Sequence, residues 1–415
     1  MSGRVGLPSE AGRLSWLPTR PLERLATQVR LLVRWLRWQR RRIAGEAAGG
    51  EPARGFRFTP RWCARRSRSP FRRASSEQAW CRTVHPPLPA ARGRVHALDR
   101  ETAAAVELAG RAELPLTFVA RIPRGRIVGN WGDVITPDGY WLPDVSLTDR
   151  RYLHRRQTFV ERRISPHLTP LDGTALVLAG RYAWGNYSHW MLHSLPRLEL
   201  CRLAGVDIEA VDHFVVNPNP GRYWAESLER LGVPMERLIE CGGAFHARAD
   251  AVLVTSNLRY GGLFAWVHRF LRETFLPAER PATGPKRIFI SRGETYWRPL
   301  VNERECFALL ERHGFVEVRL GEMSIAEQAA LFAGARCVAT PHDAGLTNLV
   351  FSEPGTKVIE LFAPQHRVVV YSQLCAAREL DYYCLFGEAE PGVDARNPYR
   401  VSVDSLARLV ELAGL

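Results

Sequence analysis

The period of hydrophobic and polar positions changes several times along the chain. Over residues 22–42 it is helical: Leu25, Val29, Leu32 and Leu36 share one face, Arg30, Arg34, Arg37 and Arg41 the opposite one, and Trp35 and Trp38 flank them. That pattern predicts an amphipathic helix lying on an anionic membrane surface, with a helix packed on the protein or a nucleic-acid contact as the alternatives. Over 47–95 the period is lost, and RWCARRSRSPFRR and HPPLPAARG read as a linker or disordered segment. From about 115 to 150 come short β-prone runs, LTFVARI and RIVGN, with the turn signals GNWGD and TPDGY.

After residue 170 strands and helices alternate. TALVLAG (174–180), HFVVN (213–217) and ADAVLVTS (249–256) are buried-strand candidates. Helices follow from Tyr187, kinked or restarted at Pro196 and closed by Gly205, then over 221–231 and near 263–275. PAERPATGP (277–285) breaks all periodicity and marks a boundary. Beyond it, RIFISR, FVEVRL, RCVATPH, KVIELF and DYYCLF read as strands. Helices are predicted over 302–313, over 325–334 behind the capping box of Ser324 and Glu327, shortly after Ala344, near 366–378 and over 404–413. The expected fold is α/β: two facing Rossmann-like domains, with ligands at strand C-termini in the cleft between them. Residues 1–100 form a basic, partly disordered extension, 101–276 an N-terminal α/β domain with a β-rich entry, and 285–415 a C-terminal Rossmann-like domain.

Charge changes this picture. The chain of 415 residues carries a net charge of +14, which looks like a nucleic-acid signal until it is divided. Of 57 basic and 43 acidic residues, 22 Arg and 6 acids fall in 1–100, so 35 basic and 37 acidic residues remain in 101–415. The basicity belongs to the extension, and no nucleic-acid partner is expected. No uncharged apolar run is long enough to span a bilayer, and MSGRVGLPSE lacks the apolar core of a secretory signal. A cytoplasmic protein, peripheral on the inner face of the membrane, is expected. Eight scattered Cys with no CxxC read as reduced core thiols.

The chain has no Walker A loop, no G-x-G-x-x-G after a strand, no HExxH and no G-x-S-x-G. Three polar clusters remain, each where a strand ends or a helix begins. In the first, Asn186 is an N-cap candidate, and His189 and His193 lie four apart on one helix face. Two imidazoles without a third ligand argue weakly for metal; a cleft role and simple loop bracing by His189 and Arg197 stand as the alternatives. In the second, Ser291 and Arg292 end a strand, Arg298 follows, and Asn302-Glu303 opens a helix. Arginine forks there suit a pyrophosphate, or else form an Arg–Glu network bracing the loop. In the third, a strand runs into His342, Asp343, Ala344 and Gly345, and a helix N-terminus suited to phosphate follows. Glu360 binds a ribose hydroxyl pair or pairs with Lys357 or an arginine.

Together the three clusters resemble family 61 glycosyltransferases over roughly residues 125–385. The family's N-x-x-H-W-x-x-[DE]-x-L-P-R-L appears as Asn186, His189, Trp190, Leu195, Pro196, Arg197 and Leu198. Its I-S-R…R…N-E appears as Ile290, Ser291, Arg292, Arg298, Asn302 and Glu303. Its H-G-A-G-L-x-N…PG-x-x-V-I-E appears as His342, Ala344, Gly345, Leu346, Asn348, Pro354, Gly355, Val358, Ile359 and Glu360. Two departures stand out: His193 where the family has an acid, and Asp343 where it has Gly. The resemblance implies a GT-B fold and inverting transfer of a sugar from a nucleotide-sugar to a glycan or lipid-linked glycan acceptor, in capsular or extracellular polysaccharide synthesis. It implies donor contacts from Ser291, Arg292, Arg298, Asn302, Glu303, His342, Ala344, Gly345, Leu346, Asn348 and Glu360, and acceptor-side contacts from Asn186, Trp190 and Arg197. Without a clear D-x-D motif, cationic side chains stabilise the leaving group, and no metal or other cofactor is expected. The base is expected to be His193 with His189 beside it; His189 alone, Glu199 or lost activity are the alternatives. A non-catalytic nucleotide-sugar or glycan binding protein docked to the membrane is the competing function.

Overall fold

The computed structural model describes residues 55–67, 78–110, 112–146, 167–181, 183–219, 221–259, 261–278, 284–293, 297–366, 368–390 and 397–415. The amphipathic helix expected over 22–42 lies outside them. The chain is a mixed α/β protein built on two large sheets.

In the first sheet, four parallel strands run in the order Leu238–Glu240, His213–Val216, Thr169–Val177, His246–Thr255. The strand expected at 174 begins five residues earlier, because Thr169–Leu171 pairs with Ala247–Ala249. On its other edge His246–Thr255 pairs antiparallel with Thr117–Pro123 and Arg126–Val128, the β-prone entry runs. The second sheet is parallel throughout, in the order Val316–Val318, Arg287–Ile290, Cys337–Pro341, Lys357–Phe362, Asp381–Phe386, Val95–His96.

Alternation along these strands buries both faces of the second sheet. Phe289, Ala339, Ile359 and Leu361 pack with Cys306, Leu310, Leu406 and Leu409 of the helices Glu303–Arg312 and Val403–Leu412. Ile288, Ile290, Val338 and Val358 face the helices Ile325–Gly334 and Val370–Ala377. That second cluster is continuous with Leu176, Phe214 and Leu253 of the first sheet, so one apolar core joins the halves. Glu226 strengthens the joint by accepting from Ile325 N (2.8 Å), and Arg272 by donating to Phe351 O (2.6 Å) and Glu353 (3.0 Å).

The linker reading of 47–95 needs correction. Thr59–Ser67 is a helix whose Trp62 and Cys63 are buried beneath the first sheet, while Trp80–His85 pairs with Thr117–Pro123. The helix starts on Asp144, which accepts from Thr59 N and Oγ1 (2.8 Å each). Arginine-rich composition concealed these elements, because a few well-placed apolar residues suffice to dock a short segment. The thiol reading holds: all eight Cys are free, seven of them buried. Among the described residues no helix is long and apolar enough to cross a membrane, and no cluster of three or more His, Cys, Asp or Glu is placed to hold a metal.

Within the alternating strand–helix part of each sheet, strand order reverses between Thr169–Val177 and His246–Thr255 in the first, and between Arg287–Ile290 and Cys337–Pro341 in the second. The carboxyl ends of strands flanking such a reversal leave a crevice, where ligands of open α/β sheets bind. The three polar clusters follow these ends.

Candidate active site

At the first reversal, Asn186 caps a helical turn by accepting from His189 N (3.1 Å). Pro196 has no N–H, so the α-helical bond to Leu192 O cannot form. Leu195 N instead reaches back five residues to Trp190 O (2.9 Å), giving a π-helical turn over Trp190–Ser194. The turn brings His193 Nδ1 within 2.9 Å of His189 Nδ1. One ring therefore donates and the other accepts. His193 is 6% exposed. Burial holds His193 well below the usual imidazole range, helped by the nearby charges of Arg197 and Arg259. Burial, with the charge of Arg259, likewise pushes His189 down to about 4.

Gly261 packs against the opened turn. A Cβ there would sit 1.6 Å from Leu192 O, a backbone atom that cannot swing aside. Gly261→Ala is thus expected to cost about 3 kcal/mol, the upper part of the overpacking range, and to displace the His193 ring. An unchanged denaturation midpoint would show that the turn is free to move.

At the second reversal, Arg292 follows Arg287–Ile290 and Asp343 follows Cys337–Pro341. Arg292 donates from Nε to Asp343 Oδ2 (3.1 Å) and from Nη1 to Arg298 O (3.1 Å). Arg298 has φ +51°, a left-handed conformation that costs a non-glycine residue energy and marks a specifically built loop. Asp343 also accepts from Gly345 N (2.8 Å), capping the 3₁₀ helix Ala344–Phe351. Ser291 donates to Glu303 Oε1 (2.5 Å), and burial raises the Glu303 carboxyl. His342 bonds Glu360 through Nδ1, and its ring lies 4.7 Å from that of His366. Burial, with His342, Arg298 and Arg292 nearby, pushes His366 down to about 3.

Tyr371 connects the two reversals. Its hydroxyl donates to Ser188 Oγ (3.2 Å), next to His189, and its ring lies 5.4 Å from that of His342. Tyr187 makes a second bridge, donating to Asn348 Oδ1 (2.7 Å).

Several residues expected to touch ligand are committed to packing. Trp190 is fully buried and donates to Ser227 Oγ (2.8 Å). Arg197 is 1% exposed and ties strand to turn through Val177 O, Ala179 O (3.1 Å each) and His193 O (3.2 Å). Burial pushes its guanidinium down to about 10. Asn302 exchanges both amide groups with the backbone of Val401. Asn348 is spent on Tyr187 and Gln328, and Leu346 lies in the core. Glu360 pairs with neither Lys357 nor an arginine: it is fully buried and holds His342 and the Tyr382 hydroxyl. Glu199 faces Arg202 (3.9 Å) with Arg269 and Glu273 nearby. Arg259, His366 and Tyr371 join the site without having been singled out from sequence. The one available signal was the polar run after ADAVLVTS, which contains Arg259.

No curated protein matches the chain. Residues 187–359, which run from the start of the first cluster to the strand holding Glu360, match the family model Glycosyltransferase 61. The matched stretch takes in the imidazole pair, Arg292, Arg298 and Asp343, and there the chain is similar to glycosyltransferase 61.

Proposed function

We propose that the protein is an inverting glycosyltransferase of GT-B type that uses a nucleoside diphosphate sugar. On this reading 285–415 holds the donor, 101–276 the acceptor, a glycan or lipid-linked glycan. The observation supporting it is that Tyr371, bonded to Ser188 beside His189 and packed near His342, lies between the imidazole pair at one strand reversal and Arg292 with Arg298 at the other.

Arg292 and Arg298 bind the diphosphate, with Ser291, Glu303, His342, Ala344 and Gly345 around it. The acceptor oxygen attacks the anomeric carbon as its proton passes to the imidazole pair. The bond from that carbon to the diphosphate oxygen breaks, and the nucleoside diphosphate leaves with the electron pair, stabilised by the two guanidinium groups. His189, the more accessible ring, meets the acceptor, and His193 stands behind it. When His189 Nδ1–H donates to His193 Nδ1, His189 Nε2 carries the lone pair that takes the proton. His193 then stabilises the resulting imidazolium.

A panel of nucleotide sugars tests this. One donor should raise the melting temperature and be slowly hydrolysed or transferred. Arg292→Ala should weaken that donor at least tenfold, the worth of one charge-assisted contact. Unaltered affinity with a large loss of ligand-free stability would make Arg292 a loop brace. Binding without hydrolysis or transfer would favour the non-catalytic reading.

The same reading places the protein at the inner face of the membrane, in capsular or extracellular polysaccharide synthesis, through the amphipathic helix expected from the sequence of residues 22–42. Deleting residues 1–50 should abolish flotation with anionic vesicles; equal flotation would remove that helix from membrane binding.

A further inference from the structure

We propose that Asp343 acts as an internal anion in the donor site, holding Arg292 until a ligand phosphate displaces it, and so sets which anions the site accepts. This rests on the donor reading above. The two carboxylate oxygens do separate work: Oδ1 accepts from Gly345 N (2.8 Å) and Oδ2 from Arg292 Nε (3.1 Å). A phosphate oxygen bound at this strand reversal would use the same guanidinium.

The two partners differ in burial. The Arg292 side chain is 9% exposed and that of Asp343 32%, so the carboxylate is the more solvent-open partner of the pair. Arg292 is held in place, since its Nη1 donates to Arg298 O. The backbone after Asp343 is packed too: it runs into Ala344–Phe351, of which Gly345 to Phe351 are all buried. Rotation of the Asp343 side chain is therefore the smallest movement that frees Arg292. An entering anion must replace this contact and overcome repulsion from the carboxylate while it remains nearby. Weak or singly charged anions are excluded, and ligands bringing several phosphate oxygens are admitted.

Inorganic pyrophosphate and uridine diphosphate are the probes, titrated calorimetrically into the full chain and into Asp343→Asn and Asp343→Ser. Both side chains can still accept from Gly345 N–H, so the 3₁₀ helix keeps its cap. Each variant should bind pyrophosphate about tenfold tighter or more, as expected when a competing charge-assisted bond is removed. Adding Arg292→Ala to Asp343→Asn should erase the gain. Equal or weaker pyrophosphate binding by both folded variants would overturn the proposal. If pyrophosphate tightens but no nucleotide sugar is bound or hydrolysed, the internal anion stands and the glycosyltransferase reading fails. If nucleotide sugars turn over while both variants bind the probes as the unaltered chain does, the reading stands and the internal anion fails.

Discussion

His189→Gln is expected to lower turnover by about 10²–10⁴, the usual worth of a positioned base, with donor affinity unchanged. Gln can keep a hydrogen bond to His193 but accepts no proton. His193 acts through His189, so its replacement should give a different result. His193→Asp sets an anion against His189 Nδ1, which favours the protonated imidazole and raises its pKa from about 4. The acidic limb of the pH profile should then move toward neutrality while activity persists. An ordinary imidazole titrates near neutrality, yet both rings are held well below it. The pair is therefore neutral and ready to accept a proton throughout the neutral range. The negative charge of a bound donor would strengthen it as a base. Full activity in His189→Gln would take the pair out of the mechanism.

Acid should destabilise the fold well before most carboxylates titrate. His189 and His268 are pushed down to about 4 and His366 to about 3, each chiefly by burial, and His193 is depressed as well. In the unfolded chain these rings protonate near 6.5. Between that value and their folded pKa values the unfolded state binds more protons, so stability falls as pH is lowered from about 6.5 toward 4. A fully buried ring contributes up to about 1.4 kcal/mol per pH unit in this window. His268 isolates one such contribution: it is 2% exposed, donates from Nε2 to Gly262 O (2.8 Å) and lies outside the proposed chemistry. Denaturant midpoints at pH 7 and pH 5 measure the loss, and His268→Gln should shrink the difference by about one proton's worth. Equal midpoints in the unaltered chain would show that the rings are reached by water or acid partners in the folded state.

What the sequence determined by itself is what local chemistry controls. Runs such as RIFISR and KVIELF became buried strands because their apolar residues are too short a run for a helix and are bounded by turn residues. Ser324 and Glu327 form the capping box within one turn of chain. Pro196 disturbs its helix because a missing N–H has consequences only four or five residues away. The three clusters could be placed at strand ends for the same reason. Tertiary structure decided what depends on distant partners. Val95–His96 is too short to signal a strand, and it becomes one only because the edge strand Asp381–Phe386 offers unpaired backbone groups. Whether a polar side chain meets ligand or core was equally non-local: Asn302 was claimed by Val401, Asn348 by Tyr187 and Gln328, and Glu360 by His342 and Tyr382. A buried polar group must find a partner, and long-range packing determines which one is within reach. The pairing of Arg292 with Asp343, 51 residues apart, follows the same rule. Strand order brings their two strand ends side by side, and local sequence pattern carries no information about strand order.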